Sequence, residues 1–161
     1  MKNILFLCTG NSARSLIAEG ILRHLGGNRY MAYSAGSQPT GRPNPAALAV
    51  LSDNGIDISF ARSKSWDEFA ISEAAEMHIV ITVCSNAANE TCPIWPGHPM
   101  TAHWGVDDPA AIAAPADAVK AAFSKTFDQM HRRITAFLNL TLTEDVADMQ
   151  TDLDAIGSLE D

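Results

Sequence analysis

A chain of 161 residues, 47% hydrophobic and 19% charged, is long enough for one complete core and too short for two ordinary domains, and its composition excludes a disordered or fibrous class. The net charge of −8 is unevenly placed: of nineteen acids, seven fall in Glu144–Asp161, which has no Lys or Arg, leaving twelve acids against eleven bases elsewhere. That balance offers no basic footprint for nucleic acid, and the longest apolar run, Ile79–Cys84, is well short of the roughly 18 residues of a membrane span.

In chain order, Ile4–Leu7 is a short apolar run suited to a buried parallel strand. It is also shorter than the roughly 7 apolar residues of a secretory signal, so the chain is expected to stay in the cytosol. Three cysteines, an odd number, suit such a reducing compartment better than a disulfide scaffold. Ser15–Leu25 places Leu16, Ile17, Ile21 and Leu25 on one helical face, and Gly26-Gly27 is a stop signal. Tyr30–Tyr33 reads as a second strand, and Pro45 opens a helix running to about Asn54-Gly55. A short helix is expected near Ser65–Phe69, before a strand over Met77–Cys84 that is apolar on both faces and hence central.

Residues 85–115, with five prolines, read as one long loop region, of the kind that is functional or mobile in compact domains. Pro115 opens the last helix, whose stripe of Val119, Phe123, Phe127, Met130, Ile134 and Phe137 is core. Beyond Leu140 the tail is polar and acidic, and composition favours disorder over a docked amphipathic helix despite Val146, Met149, Leu153 and Ile156 at near-helical spacing. The expected architecture is α/β, one domain over residues 1–140 with an acidic tail at 141–161, built on a central, mainly parallel sheet of about four strands.

The stretch "CTGNSARS" carries the chemistry. Cys8 ends the first strand, Thr9, Gly10, Asn11, Ser12 and Ala13 form a small-residue loop, and Arg14 and Ser15 open the helix. Backbone N–H groups of such a loop form a concave nest at a helix N-terminus, which suits a tetrahedral oxyanion. Arg14 adds a planar fork matching two of its oxygens, and the positive potential is expected to lower the Cys8 pKa into the roughly 3.5 to 7.5 range of reactive thiols.

Attack on a tetrahedral oxyanion also needs a proton donor for the departing oxygen. In "HWGVDDPAA" the proline after Asp108 disfavours helical backbone, leaving this carboxylate presented on an extended segment; a turn aspartate with a local hydrogen bond is the alternative. Cys84 alone would read as a small core hydrophobe. With Cys92 in a polar, glycine-free stretch nearby, the two point to redox function, provided their Cα atoms come within about 4.4–6.8 Å. His98 and His103, without an evident third ligand, read as solvated or capping side chains, and no metal is expected.

Together "CTGNSARS", "YSAGS", "VITVC", "CPIWPG" and "HWGVDDP" resemble the arsenate reductases built on the low-molecular-weight protein tyrosine phosphatase fold, notably the thioredoxin-coupled type, over residues 2 to 140. The resemblance implies a three-layer sandwich around a four-stranded sheet. It implies that Cys8 attacks arsenate held by residues 9–15, that Asp108 protonates the leaving hydroxide, and that Cys84 attacks the Cys8 adduct to release arsenite. Cys92 would then attack Cys84, leaving a Cys84–Cys92 disulfide for thioredoxin. Some such proteins bind potassium at positions resembling Asn11, Glu19 and Ser34 plus an acid; here Lys64 stands in the acid's place, so its ammonium could replace the ion. The alternatives are a tyrosine phosphatase, in which water resolves the cysteine intermediate; reduction by glutaredoxin or glutathione; and a non-catalytic oxyanion or redox-sensing module.

Overall fold

The computed structural model describes residues 1–89, 95–141 and 145–159, apart from the side chains at 86 and 88. Strands β1 (Lys2–Cys8), β2 (Tyr30–Gly36), β3 (Ile79–Thr82) and β4 (Met100–His103) form one sheet in the order β2-β1-β3-β4, each neighbouring pair parallel. The helices are α1 (Arg14–Leu25), α2 (Pro45–Asp53), α3 (Ser85–Asn89), α4 (Ala116–Leu138) and α5 (Val146–Gly157), with 3-10 turns at Trp66–Phe69 and Pro109–Ala111.

Because β1 and β3 are internal strands, both of their faces are buried, which is why they read as continuous apolar runs. Ile4, Phe6, Ile79 and Ile81 join the core formed with α1, α2, α4 and α5; Leu5, Leu7 and Val80 pack on the other face with Phe69, Met77 and Trp95. In α1 the fully buried Leu16, Ile17, Ile21 and Leu22 each contribute roughly 1.5–3 kcal/mol of apolar burial. Gly26 caps this helix and Gly27, at φ +58°, turns the chain away. Asn44 caps α2 by accepting from the Ala46 N–H at 2.8 Å, with Pro45 in its first turn.

Three features differ from the sequence expectations. β3 is confined to Ile79–Thr82, and the region read as loop contains α3 and β4. β4 has only Ala102 buried, so its sequence carries no apolar alternation, and pairing with β3 (Ile79 opposite Met100, Ile81 opposite Ala102) defines it. Nor is the tail disordered. Asp145 caps α5 by accepting from the Ala147 and Asp148 N–H groups, and Met149, Leu153 and Ile156 are buried in the helical core. Composition weighs charge; these three side chains at helical spacing found an apolar surface to cover, and that decided the segment. Among the described residues no helix is long and apolar enough to cross a membrane.

Candidate functional site

In the order β2-β1-β3-β4 the chain leaves β1 to one side and returns to its other side, so the sheet's switch point lies between the carboxyl ends of β1 and β3. Open parallel sheets bind ligands in that crevice. Register sets Cys8 beside Gly36 and Leu7 beside Thr82, so Cys8 and the residues just after β3 emerge there together.

After Cys8 the backbone loops through 9–13 and enters α1 at Arg14. The carbonyls of Thr9, Gly10 and Ser12 accept from the N–H groups of Gln38, Thr40 and Asn44 at 2.9, 3.0 and 2.8 Å, and Ser63 Oγ also donates to Gly10 O at 3.1 Å. A trans peptide sets its C=O and N–H on opposite sides. Holding these carbonyls outward therefore turns the N–H groups of Gly10, Asn11 and Ala13 inward. The residue preceding α1, Ala13, has no polar side chain to cap it, so the helix's first N–H groups add to the same concavity.

Asn11 is the pin of this loop. It is fully buried in left-handed backbone (φ +45°), which asparagine tolerates better than most residues. Its Nδ2 donates to Ser15 Oγ at 2.8 Å and Ser34 Oγ at 2.9 Å, and its Oδ1 accepts from the Lys64 N–H at 2.9 Å. The glycine this geometry demands is Gly36 of β2, more than Gly10. A Cβ on Gly36 would fall 2.3 Å from Thr9 O, 2.8 Å from Cys8 O and 3.0 Å from Asn11 N, all main chain, whereas one on Gly10 would meet side chains, the Thr40 methyl at 3.3 Å and Ser12 Oγ at 3.6 Å. Spacing alone gave no signal for Gly36.

The two sulfurs share a hydrogen bond, so each acts on the other's ionisation. The Cys84 thiol is lowered to about 5, first by the bond from Cys8, with support from the Ala87 N–H at 3.4 Å and the Thr9 hydroxyl at 3.7 Å. Cys8 is pushed up, first by donating that bond and then by burial, although Arg14 and the Gly10 amide act in the opposite direction. The expected lowering of Cys8 thus meets opposing influences: Arg14 and the Gly10 amide favour its thiolate, while the neighbouring Cys84 thiol and burial oppose it. The pair holds one proton between two sulfurs, and its ionisations belong to the pair.

Arg14 lies at the mouth of the loop, where its Nη1 donates to Val106 O at 3.2 Å and its Nη2 is 3.7 Å from Asp108 Oδ2. Asp108 is 46% exposed. Its second oxygen accepts from the Ala110 N–H at 3.0 Å and caps the Pro109–Ala111 turn, so the local hydrogen bond and the placement facing Arg14 coexist. Cys92 lies outside the described residues. His103 Nδ1 pairs with Thr82 Oγ1 at 2.7 Å.

Beneath the loop, Lys64 Nζ lies 3.5 Å from Asn11 Oδ1, 3.3 Å from Ser34 Oγ and 3.8 Å from Glu19 Oε2, and donates to Arg62 O at 2.9 Å. Glu19 also accepts from Ser34 Oγ and pairs with Arg23 at 3.1 Å. Burial is the largest influence on both charges, raising Glu19 and lowering Lys64, while each opposes the other's shift. An ammonium among these oxygens leaves no place for a potassium ion, so the residues present do not fit that metal.

A parallel sheet that delivers a cysteine into a loop opening a helix, with an arginine closing the loop, is the arrangement of α/β proteins that present a thiol to a tetrahedral oxyanion. The sequence agrees with the geometry. The chain belongs to the low molecular weight phosphotyrosine protein phosphatase family, whose sequence model matches residues 3–149. Similar proteins include arsenate reductases of Bacillus subtilis, 38% identical, and Bacillus licheniformis, 40% identical, each over 84% of this chain and 94% of the relative. A solved arsenate reductase in the phosphate binding state is 27% identical, with a TM-score of 0.71 over 86% of this chain and 97% of its own.

Proposed function

We propose that this protein is an arsenate reductase working through a relay of Cys8, Cys84 and Cys92. The observation that carries the reading is the second thiol: a phosphatase needs one sulfur in the cup, whereas here Cys84 shares a hydrogen bond with Cys8. Relatives named arsenate reductase, covered nearly end to end, support it.

The oxyanion sits in the cup of residues 9–15, with the Arg14 guanidinium on two of its oxygens. Passing the shared proton to Cys84 leaves Cys8 as the anion facing Arg14. Its sulfur attacks arsenic, and Asp108 gives the departing hydroxide a proton, so that water leaves. Cys84 gives the proton it took to an oxygen on arsenic and, as thiolate, attacks Cys8 Sγ; the sulfur–arsenic bond breaks, its electron pair stays on arsenic, and arsenic(V) departs as arsenite(III). A Cys8–Cys84 disulfide remains. Attack by Cys92 on Cys84 frees Cys8 as a thiolate, and a dithiol protein such as thioredoxin reduces the resulting Cys84–Cys92 bond. The reaction suits the cytosol, where thiols are kept reduced. Residues 1–140 would hold the catalytic machinery, with 141–161 an acidic segment added to it.

The test is arsenate-dependent NADPH oxidation with thioredoxin and its reductase, on wild type, Cys84→Ser and Cys92→Ser. The relay requires turnover in the wild type and its loss in both variants. Persistent turnover in Cys92→Ser points to glutathione or glutaredoxin as reductant. Aryl phosphate hydrolysis without any arsenate reduction would replace the reading with a phosphatase.

A further inference from the structure

The family match ends at residue 149, yet α5 continues to Gly157 and buries Leu153 and Ile156 in its last turns. These turns land on the segment leading from β4 to Asp108. Trp104 Nε1 donates to Leu153 O at 2.9 Å, and Gly157 packs so tightly that a Cβ there would fall 2.3 Å from His103 O. Arg133 of α4 completes the join. Only 7% exposed, its Nη1 donates to the carbonyls of Trp104 and Gly105 at 3.1 Å each, and its Nη2 to Leu159 O at 3.4 Å. The next carbonyl along, Val106 O, is the one that receives Arg14, and Asp108 follows two residues later.

We propose that Arg133, clamped beneath the end of α5, is a positioning residue for the Gly105–Asp108 segment, so that this chain's C-terminal helix sets how the acid carboxylate meets the anion cup. A guanidinium presents its donors in one rigid plane, and three carbonyls from two separate segments are thereby fixed relative to one another. Burying a guanidinium carries a desolvation cost that an unbranched apolar side chain in α4 would not. Among the described residues, two of its bonds go to main-chain carbonyls at the base of the acid segment and a third ties that base to the chain just past α5, which distinguishes it from a packing residue. The inference rests on the proposed role of Asp108 as proton donor.

Arg133→Met removes the fork, and Gly157→Val forces α5 away from β4 while leaving Arg133 in place. Each is compared with wild type for arsenate reduction, alone and combined with Asp108→Asn, and for amide hydrogen exchange. Each single variant is expected to lower kcat about 10- to 100-fold with KM changed less than about threefold. Neither should lower kcat further in the Asp108→Asn background, because the group through which they act is already gone. Exchange at the Val106 and Asp108 amides should quicken in both. Losses that multiply with Asp108→Asn, or unaltered exchange at those amides, overturn the proposal. Wild-type protein without arsenate turnover defeats the proposed function alone, and the exchange comparison then decides this inference by itself. If Arg133→Met does not fold, Gly157→Val carries the same test from the other side of the join.

Discussion

Cys8 and Cys84 meet at the carboxyl ends of two adjacent parallel strands and share a single hydrogen bond. Their proximity follows from strand order, because only the switch between β1 and β3 brings the residue ending one strand against the residue just past the other. A thiol beside a thiol behaves differently from either alone. One sulfur carries the charge and the other the proton, and the surrounding donors choose which.

Titration separates the two sites. In a Cys92→Ser background, one thiolate should appear with a midpoint of about 5, read by its ultraviolet absorbance. Cys8→Ala should move that midpoint up, because the bond from Cys8 is the largest cause of the Cys84 lowering. Cys84→Ala should move the Cys8 ionisation down, by removing the hydrogen bond that raises it and leaving Arg14 to act. Unchanged midpoints in both variants would mean that the sulfurs do not share a proton.

Gly36→Ala should disable the cup while leaving every side chain that faces the oxyanion unchanged. Its methyl would press on the Thr9 and Cys8 carbonyls, both main chain, so the loop itself must shift. A displacement on the order of 1 Å predicts a loss in arsenate kcat/KM of about 100-fold. Steady-state kinetics checks this, with Gly10→Ala as the milder comparison.

Asn11→Ala removes the buried bonds to Ser15, Ser34 and the Lys64 N–H and leaves alanine in left-handed backbone. A destabilisation of about 2–4 kcal/mol is expected in urea denaturation. Asn11→Gly loses the same bonds without the backbone penalty, so it should be less destabilised than Asn11→Ala by about 1–2 kcal/mol. Equal losses would show that φ strain plays no part.

The Glu19–Lys64 pair gives a pH dependence whose sign can be fixed. Glu19 has a folded pKa raised above 4.5, so its contribution to stability is complete below that value and is lost as pH rises through the folded pKa. Lys64 opposes this rise, and Lys64→Met should push the Glu19 pKa further up. Burial lowers the pKa of Lys64 itself, so any slope that its removal adds has the same sign. The stability cost of Lys64→Met, from urea midpoints, should therefore be larger near pH 8 than near pH 5. A cost that shrinks with pH would reverse the assignment.

What the sequence determined by itself was local. Apolar runs marked β1 and the centre of β3, the stripe from Val119 to Phe137 marked α4, and the order of Cys8, small residues and Arg14 marked a loop opening a helix, because burial and turn chemistry leave their pattern in neighbouring residues. Tertiary structure decided what depends on residues far apart in the chain. β4 exists through its pairing with β3, α5 through the apolar surface beside Trp104, the need for Gly36 through the nearness of another strand's carbonyls, and the coupling of the Cys8 and Cys84 ionisations through their nearness. Distance and desolvation set these outcomes, and no window along the chain contains either quantity.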